Sequence, residues 1–342
     1  MDGDKIIIDD EKKKEEESEK KLALSIFSSA LVLFVSFFIF NSFFSSSIFL
    51  ASLQDSTYLN NESSNDSGDF SSVLAAESLD ATESNVTEVN TENTPVEVKQ
   101  YVLDSRSAIV VKVTPDLKEI VFELNKDKKI PIASLTKLMT ALLVLEKYDL
   151  DIKTTIDQKA MSQVGEQGSL KLGEILSVKD LLYISLIESS NRSAYALAEV
   201  VGVDNFVSLM NQKAEELGMA NTHFSDSSGL DSNSQSSVSD LAILSEYLYK
   251  NQSLFKEIVS LDEYDLYLDN GTFHHKLTNT NKLLETLPGV VGGKTGFTNE
   301  ARGCYMVINK VNPNEDTYFI NIILGSEDRS SAIKYLIDNY NF

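Results

Sequence analysis

Ser134 and Lys137, in the run Ser134-Leu135-Thr136-Lys137, stand three residues apart and so share one helix face, one turn from each other. A serine at a helix N-terminus sits near the positive end of the helix dipole, which favours a developing alkoxide or oxyanion. The Lys137 amine can take the serine proton if burial and a neighbouring cation lower its pKa. The spacing alone carries little weight. Ser18 with Lys21, Ser253 with Lys256 and Ser331 with Lys334 repeat it, and a serine at a helix start is commonly a simple N-cap.

A second group is Ser189-Ser190-Asn191, between two helical stretches. On a short loop, a hydroxyl and an amide two residues apart can project into one cleft, Ser189 relaying a proton and Asn191 donating to a substrate carbonyl. Capping of the next helix explains the same residue types. The third group is Lys294-Thr295-Gly296, preceded by Gly292-Gly293. On a strand edge, Gly296 lets a substrate backbone approach and pair, while Lys294 supplies a cation that depresses a nearby amine and attracts a carboxylate. A strand-end turn also uses glycine and lysine. The order of the three groups, at a helix start, an inter-helix loop and a strand edge, is what gives them weight together; this set of S-x-x-K, S-x-N and K-T-G motifs marks serine acyl transferases.

The elements that must position these groups are legible from periodicity. Residues 107–113 and 119–124, joined by Pro115-Asp116, read as a β-hairpin. Apolar residues at 135, 138, 139, 142 and 145 predict a helix over 134–148. Further helices are expected over 178–187, 193–201, 204–217 with Gly218 closing it, 239–251 and 330–339. Residues 290–296, 303–311 and 318–324 read as strands. Strands at both ends around a helical middle imply an α+β fold, an antiparallel sheet flanked by helices with a helical insertion.

Residues 1–21 form a charged tail, expected in the cytoplasm. Residues 22–50 carry no charge and exceed the roughly 20 apolar residues a helix needs to cross a bilayer. Lys20 and Lys21 precede this stretch and no Lys or Arg follows until Lys99, so a single-pass anchor with the rest of the chain outside the cell is expected. A cleaved long signal peptide is the alternative, and it also exports the chain. Residues 51–98, rich in Ser, Asn, Thr and Glu, read as a disordered tether, which leaves 99–342 as the catalytic domain. The net charge of −22 argues against a nucleic-acid partner. Cys304 is the one cysteine, so no internal disulfide forms. His223, His274 and His275 have no metal-ligand spacing, and no metal or other cofactor is expected.

Longer stretches around the motifs carry a resemblance. Residues 131–140 (Pro131 through Ser134 and Lys137 to Thr140), residues 188–199, Asn221-Thr222-His223-Phe224 followed by Gly229-Leu230-Asp231, and residues 293–298 closely resemble the D-alanyl-D-alanine carboxypeptidases, the low-molecular-weight penicillin-binding proteins. The resemblance covers about 99–342 and implies a β-lactamase/transpeptidase-like fold. It also implies removal of terminal D-Ala from peptidoglycan stem peptides through an acyl-enzyme on Ser134. Lys137 would be the base, Ser189 would assist proton delivery, and the backbone N–H groups of Ser134 and Phe297 would bind the oxyanion. Asn191, Lys294, Thr295, Gly296 and Phe297 would bind substrate. Arg329 falls where the family places a carboxylate-steering arginine, although a solvated surface charge explains it equally well. β-Lactams would acylate the same serine. Ser190 departs from the glycine usual in the second motif. The C-terminal β-rich domain and amphipathic anchor of many relatives do not follow the last helix in this sequence, and the N-terminal helix is expected to replace that anchor. A D,D-endopeptidase or β-lactamase on the same fold, and a catalytically silent cell-wall or β-lactam-binding protein, remain as alternatives.

Overall fold

The computed structural model describes residues 103–342. The expected tail (1–21), membrane helix (22–50) and tether (51–98) lie outside the described residues. Among the described residues, no helix is long and apolar enough to cross a membrane.

Both ends of the described chain build one five-stranded antiparallel sheet. The hairpin β1 (Ser107–Val113) and β2 (Lys118–Leu124) joins β9 (Val290–Thr298), β10 (Arg302–Asn309) and β11 (Tyr318–Ser326) in the order β2-β1-β11-β10-β9. β1 pairs with β11 so that Ile109 faces Ile322 and Val111 faces Ile320. Alternation sends side chains to two cores. Ala108, Val110, Tyr305, Val307, Phe319 and Ile323 pack on one face against the C-terminal helix. Ile109, Val111, Met306, Ile308, Ile320 and Ile322 pack on the other, against the helical insertion.

The insertion carries short two-stranded pairings: β3 (Ile130–Pro131) with β6 (Gln235–Ser236), β4 (Lys153–Thr155) with β5 (Ile175–Ser177), and β7 (Glu263–Tyr267) with β8 (Phe273–Thr278). Its helices are α1 (Thr136–Lys147), α2 (Gln158–Met161), α3 (Val178–Ile187), α4 (Asn191–Glu199), α5 (Val203–Glu216), α6 (Val238–Asn251), α7 (Ser253–Ser260) and α8 (Leu283–Thr286); α9 (Arg329–Tyr340) closes the chain. In α1 every side chain from Thr136 to Val144 is buried. Burial all round marks a helix at the centre of the core. α3 starts with a reciprocal cap, Asp180 N–H donating to Ser177 Oγ at 3.0 Å and Ser177 N–H to Asp180 Oδ2 at 3.1 Å.

The α+β architecture agrees with the sequence reading, and two boundaries that matter to the site differ. The helix expected over 134–148 begins at Thr136, and Ser134 lies in a 3-10 turn, Ala133–Leu135. There Ala133 takes a φ of 48° and Thr136 N–H bonds back to the Ala133 carbonyl. The helix expected from 193 begins at Asn191, because the Ser190 side chain caps it by accepting from Ser193 N–H. Asn191 is therefore a helical residue and not part of a free loop. The hairpin β7–β8 and the helix α7 were not anticipated.

Candidate active site

Ser134 sits on the 3-10 turn that leads into α1, half-buried while its neighbours Ala133 and Leu135 are buried. Two backbones press on this turn. A Cβ at Gly296 of β9 would come within 2.9 Å of Ser134 N, and one at Gly229 would come within 1.8 Å of the Ala133 carbonyl oxygen. Glycine alone fits both places. Ala133 and Ser189 adopt left-handed φ values of 48° and 63°. Such conformations in residues with a Cβ cost on the order of 1–3 kcal/mol and collect where the surrounding structure imposes them.

Lys137, one turn along α1, is fully buried. Its Nζ meets three acceptors: Ser134 Oγ at 2.9 Å, Asn191 Oδ1 at 2.7 Å and the Ser228 carbonyl at 2.9 Å. An ammonium gives one proton to each. A neutral amine has two N–H groups and one lone pair. Asn191 Oδ1 and the Ser228 carbonyl can only accept, so they take both N–H groups and the lone pair is left facing the serine hydroxyl. Burial lowers the Lys137 pKa from the ordinary 10.5 to about 7, with the charge of Asp226 acting the other way. The arrangement can therefore remove a proton from Ser134 near neutral pH.

Lys294 is the second buried amine, on β9. It donates to Ser189 Oγ at 2.7 Å and to the Thr295 carbonyl at 3.0 Å. Burial first, then the charges of Lys137 and Arg329, hold it well below the usual lysine range. Among the described residues no carboxylate contacts it directly, so two amines share the site without a counter-charge between them. Thr295 Oγ1 donates to Thr280 Oγ1 at 2.8 Å. Asn191 Nδ2 donates one N–H to the Val164 carbonyl at 2.7 Å while its Oδ1 accepts from Lys137, and its second N–H is the one a substrate carbonyl could take. Asn191 thus ties α4 to α1.

β9 is the edge of the sheet, so one row of its backbone groups is free of strand partners. Phe297 on this edge is 60% exposed. Arg329, the first residue of α9, donates from Nη1 to the Gly296 carbonyl at 2.7 Å. It reaches the site and is not a free surface charge. The three motifs thus converge through Lys137, Asn191, Ser189 and Lys294.

Sequence reasoning missed Val164, Thr280, Ser228 and Asp226. The signal available for the last two was Gly229, in a stretch that carries the family resemblance. Cys304 is buried on β10, and burial pushes its thiol up to about 12. His275 Nε2 lies 3.1 Å from Glu188 Oε2 and His274 Nε2 2.9 Å from Glu174 Oε1. Among the described residues, no group of three or more His, Cys, Asp or Glu is placed to hold a metal.

The family model for D-alanyl-D-alanine carboxypeptidase, peptidase S11, matches residues 92–327. The chain belongs to this family. Among members of peptidase S11, the D-alanyl-D-alanine carboxypeptidase DacF of Bacillus subtilis is 34% identical over 209 residues, covering 59% of this chain and 53% of that protein. The chain thus spans about half the length of that relative. A D-alanyl-D-alanine endopeptidase of Pseudomonas aeruginosa is 33% identical over 218 residues, 62% of this chain and 69% of that protein. Among solved structures, penicillin-binding protein D2 of Listeria monocytogenes in a cefotaxime-bound form superposes with a TM-score of 0.62 at 32% identity, covering 70% of this chain and 97% of that one. The peptidase S11 fold is therefore the fold of this chain.

Proposed function

We propose that the chain is a serine D-alanyl-D-alanine carboxypeptidase that removes the terminal D-Ala of peptidoglycan stem peptides. One observation carries the reading: Lys137 Nζ has one position left for Ser134 Oγ after its two carbonyl acceptors are served. In the first half-reaction Ser134 Oγ attacks the penultimate D-Ala carbonyl as Lys137 takes its proton. The oxyanion lies between the N–H groups of Ser134 and Phe297. Collapse breaks the peptide bond, and the proton Lys137 took from Ser134 passes by way of Ser189, held by Lys294, to the departing D-Ala amine, which leaves Lys137 neutral again. Water then attacks the acyl-enzyme ester, gives a proton to the same base, and releases the shortened peptide with Ser134 restored. Lys294, Thr295 and Arg329 surround the place where the substrate carboxylate would rest, and the β9 edge would pair with its backbone.

β-Lactams would acylate Ser134, a reading supported by family membership and by the cefotaxime-bound Listeria structure. The charge-free stretch 22–50, preceded by Lys20 and Lys21, supports a single-pass anchor with the catalytic domain outside the cell. The Pseudomonas relative keeps an endopeptidase reading open on the same site. The test uses the full-length chain with a stem pentapeptide, cross-linked muropeptides and benzylpenicillin. Free D-Ala and a penicillin adduct mapping to Ser134, both lost in Ser134→Ala, are expected. Cleavage of cross-links without D-Ala release would favour the endopeptidase, and neither product would remove the proposal.

A further inference from the structure

We propose that Asp226 is a positioning residue of this site: its carboxylate folds the turn that presents the Ser228 carbonyl to Lys137. The inference rests on the acyl-transfer reading above. Asp226 lies between α5 and α6 and accepts five hydrogen bonds. Its Oδ1 takes Gly229 N–H and Ser234 Oγ, each at 2.8 Å, and its Oδ2 takes Ser228 Oγ at 3.0 Å, Leu230 N–H at 2.8 Å and Asp231 N–H at 3.2 Å. With the N–H groups gathered inward on one carboxylate, the carbonyls of the turn face outward. Two of them meet α1: Ser228 accepts from Lys137 Nζ at 2.9 Å and Ser227 from Thr140 Oγ1 at 2.6 Å. Gly229, at φ 83°, brings the same turn against the Ala133 carbonyl with no room for a side chain. The turn is thus held by Asp226 on one side and by the nucleophile segment on the other.

The Ser228 carbonyl is one of the two acceptors that leave the Lys137 lone pair on Ser134. If it moved away, the amine could turn a proton toward Ser134 and lose its function as base. The groups facing Lys137 are uncharged Ser134 and Asn191, the Ser228 carbonyl, the carboxylate of Asp226 and the amine of Lys294, with Arg329 behind Lys294. Of the carboxylates among the described residues, Asp226 is the one whose charge acts on Lys137, and it favours the protonated form.

The experiment compares full-length wild type, Asp226→Asn and Asp226→Glu by the rate of Ser134 acylation by benzylpenicillin from pH 5 to 9, with folding checked by circular dichroism. Asp226→Asn is expected to slow acylation about tenfold and to move the acid limb to lower pH by about 1 unit, the low end of what a nearby opposite charge does. Asp226→Glu keeps the charge, so its limb should stay in place while the displaced turn slows the rate. A limb that does not move in a folded Asp226→Asn would overturn the inference. If Asp226→Asn does not fold, an Asp226→Glu variant acylating at the wild-type rate would overturn it instead. Absence of acylation in wild type would sink the acyl-transfer reading itself, a separate outcome.

Discussion

Lys294 Nζ and Ser189 Oγ meet at 2.7 Å across 105 positions of sequence. The contact joins the sheet edge to the start of α4 and places a cation beside the hydroxyl proposed to serve the leaving amine. Lys294→Ala should lower acylation by roughly 10²–10³, the cost of one lost electrostatic donor. Because the Lys294 charge opposes protonation of its neighbour, the acid limb should also move to higher pH, opposite to the shift expected for Asp226→Asn. A pH profile of Lys294→Ala with an unmoved limb would refute the electrostatic half of this account.

Lys137 titrates near 7, and the base must be neutral, so acylation should rise through that pH and level off above it. The same group makes stability depend on pH. Its folded pKa lies below the ordinary 10.5, so from about 7 upward the unfolded chain holds more protons than the folded one, and stability rises with pH. Thermal unfolding followed from pH 7 to 9 should show Tm increasing, with a smaller slope in Lys137→Met. Equal slopes would deny the coupling. Lys137→Met should also abolish acylation.

Gly296→Ala would set a methyl 2.9 Å from Ser134 N and 3.1 Å from Ala133 Cβ. Either β9 or the Ala133–Leu135 turn must shift, at a cost of about 1–3 kcal/mol in stability. Since the proposed oxyanion donors belong to those two segments, acylation should fall at least tenfold while the chain still folds. Chemical denaturation and penicillin acylation, measured on the same sample, check both numbers.

Arg329 holds the Gly296 carbonyl and adds charge near Lys294. Arg329→Ala should raise KM for a peptide with a free terminal carboxylate about tenfold, the value of a single charge-assisted contact of about 1.5 kcal/mol. Amidating that carboxylate should cost the wild type far more than the variant. Equal penalties would remove Arg329 from substrate binding.

Much of this was legible in the sequence. α3 spans the residues its apolar pattern predicts because the Ser177–Asp180 cap is written locally. β1, β10 and β11 were legible because each is a short, largely apolar run, buried on both faces. The hairpin β7–β8 was not, since Glu263, Asp265, His274 and Lys276 break up its apolar pattern. Ser134, Lys137, Ser189 and Lys294 could be named from motif order, whereas their distances depend on contacts between remote segments. Asp226 escaped notice for the same reason. Gly229 marks its neighbourhood, but the acid itself reads like a surface residue; its role exists only once its turn lies against α1.

β9 ends the sheet, and this has a further consequence. Folded domains usually shield such a border with proline or inward charge, because a bare one invites another chain to add on. Here proline would remove an N–H and a bulky residue would close the approach to Ser134, so of the usual protections this segment keeps only the inward-pointing Lys294. Solubility and turnover therefore compete for the same few peptide groups. A molecule that occupies them reversibly should slow self-association and block the enzyme at once.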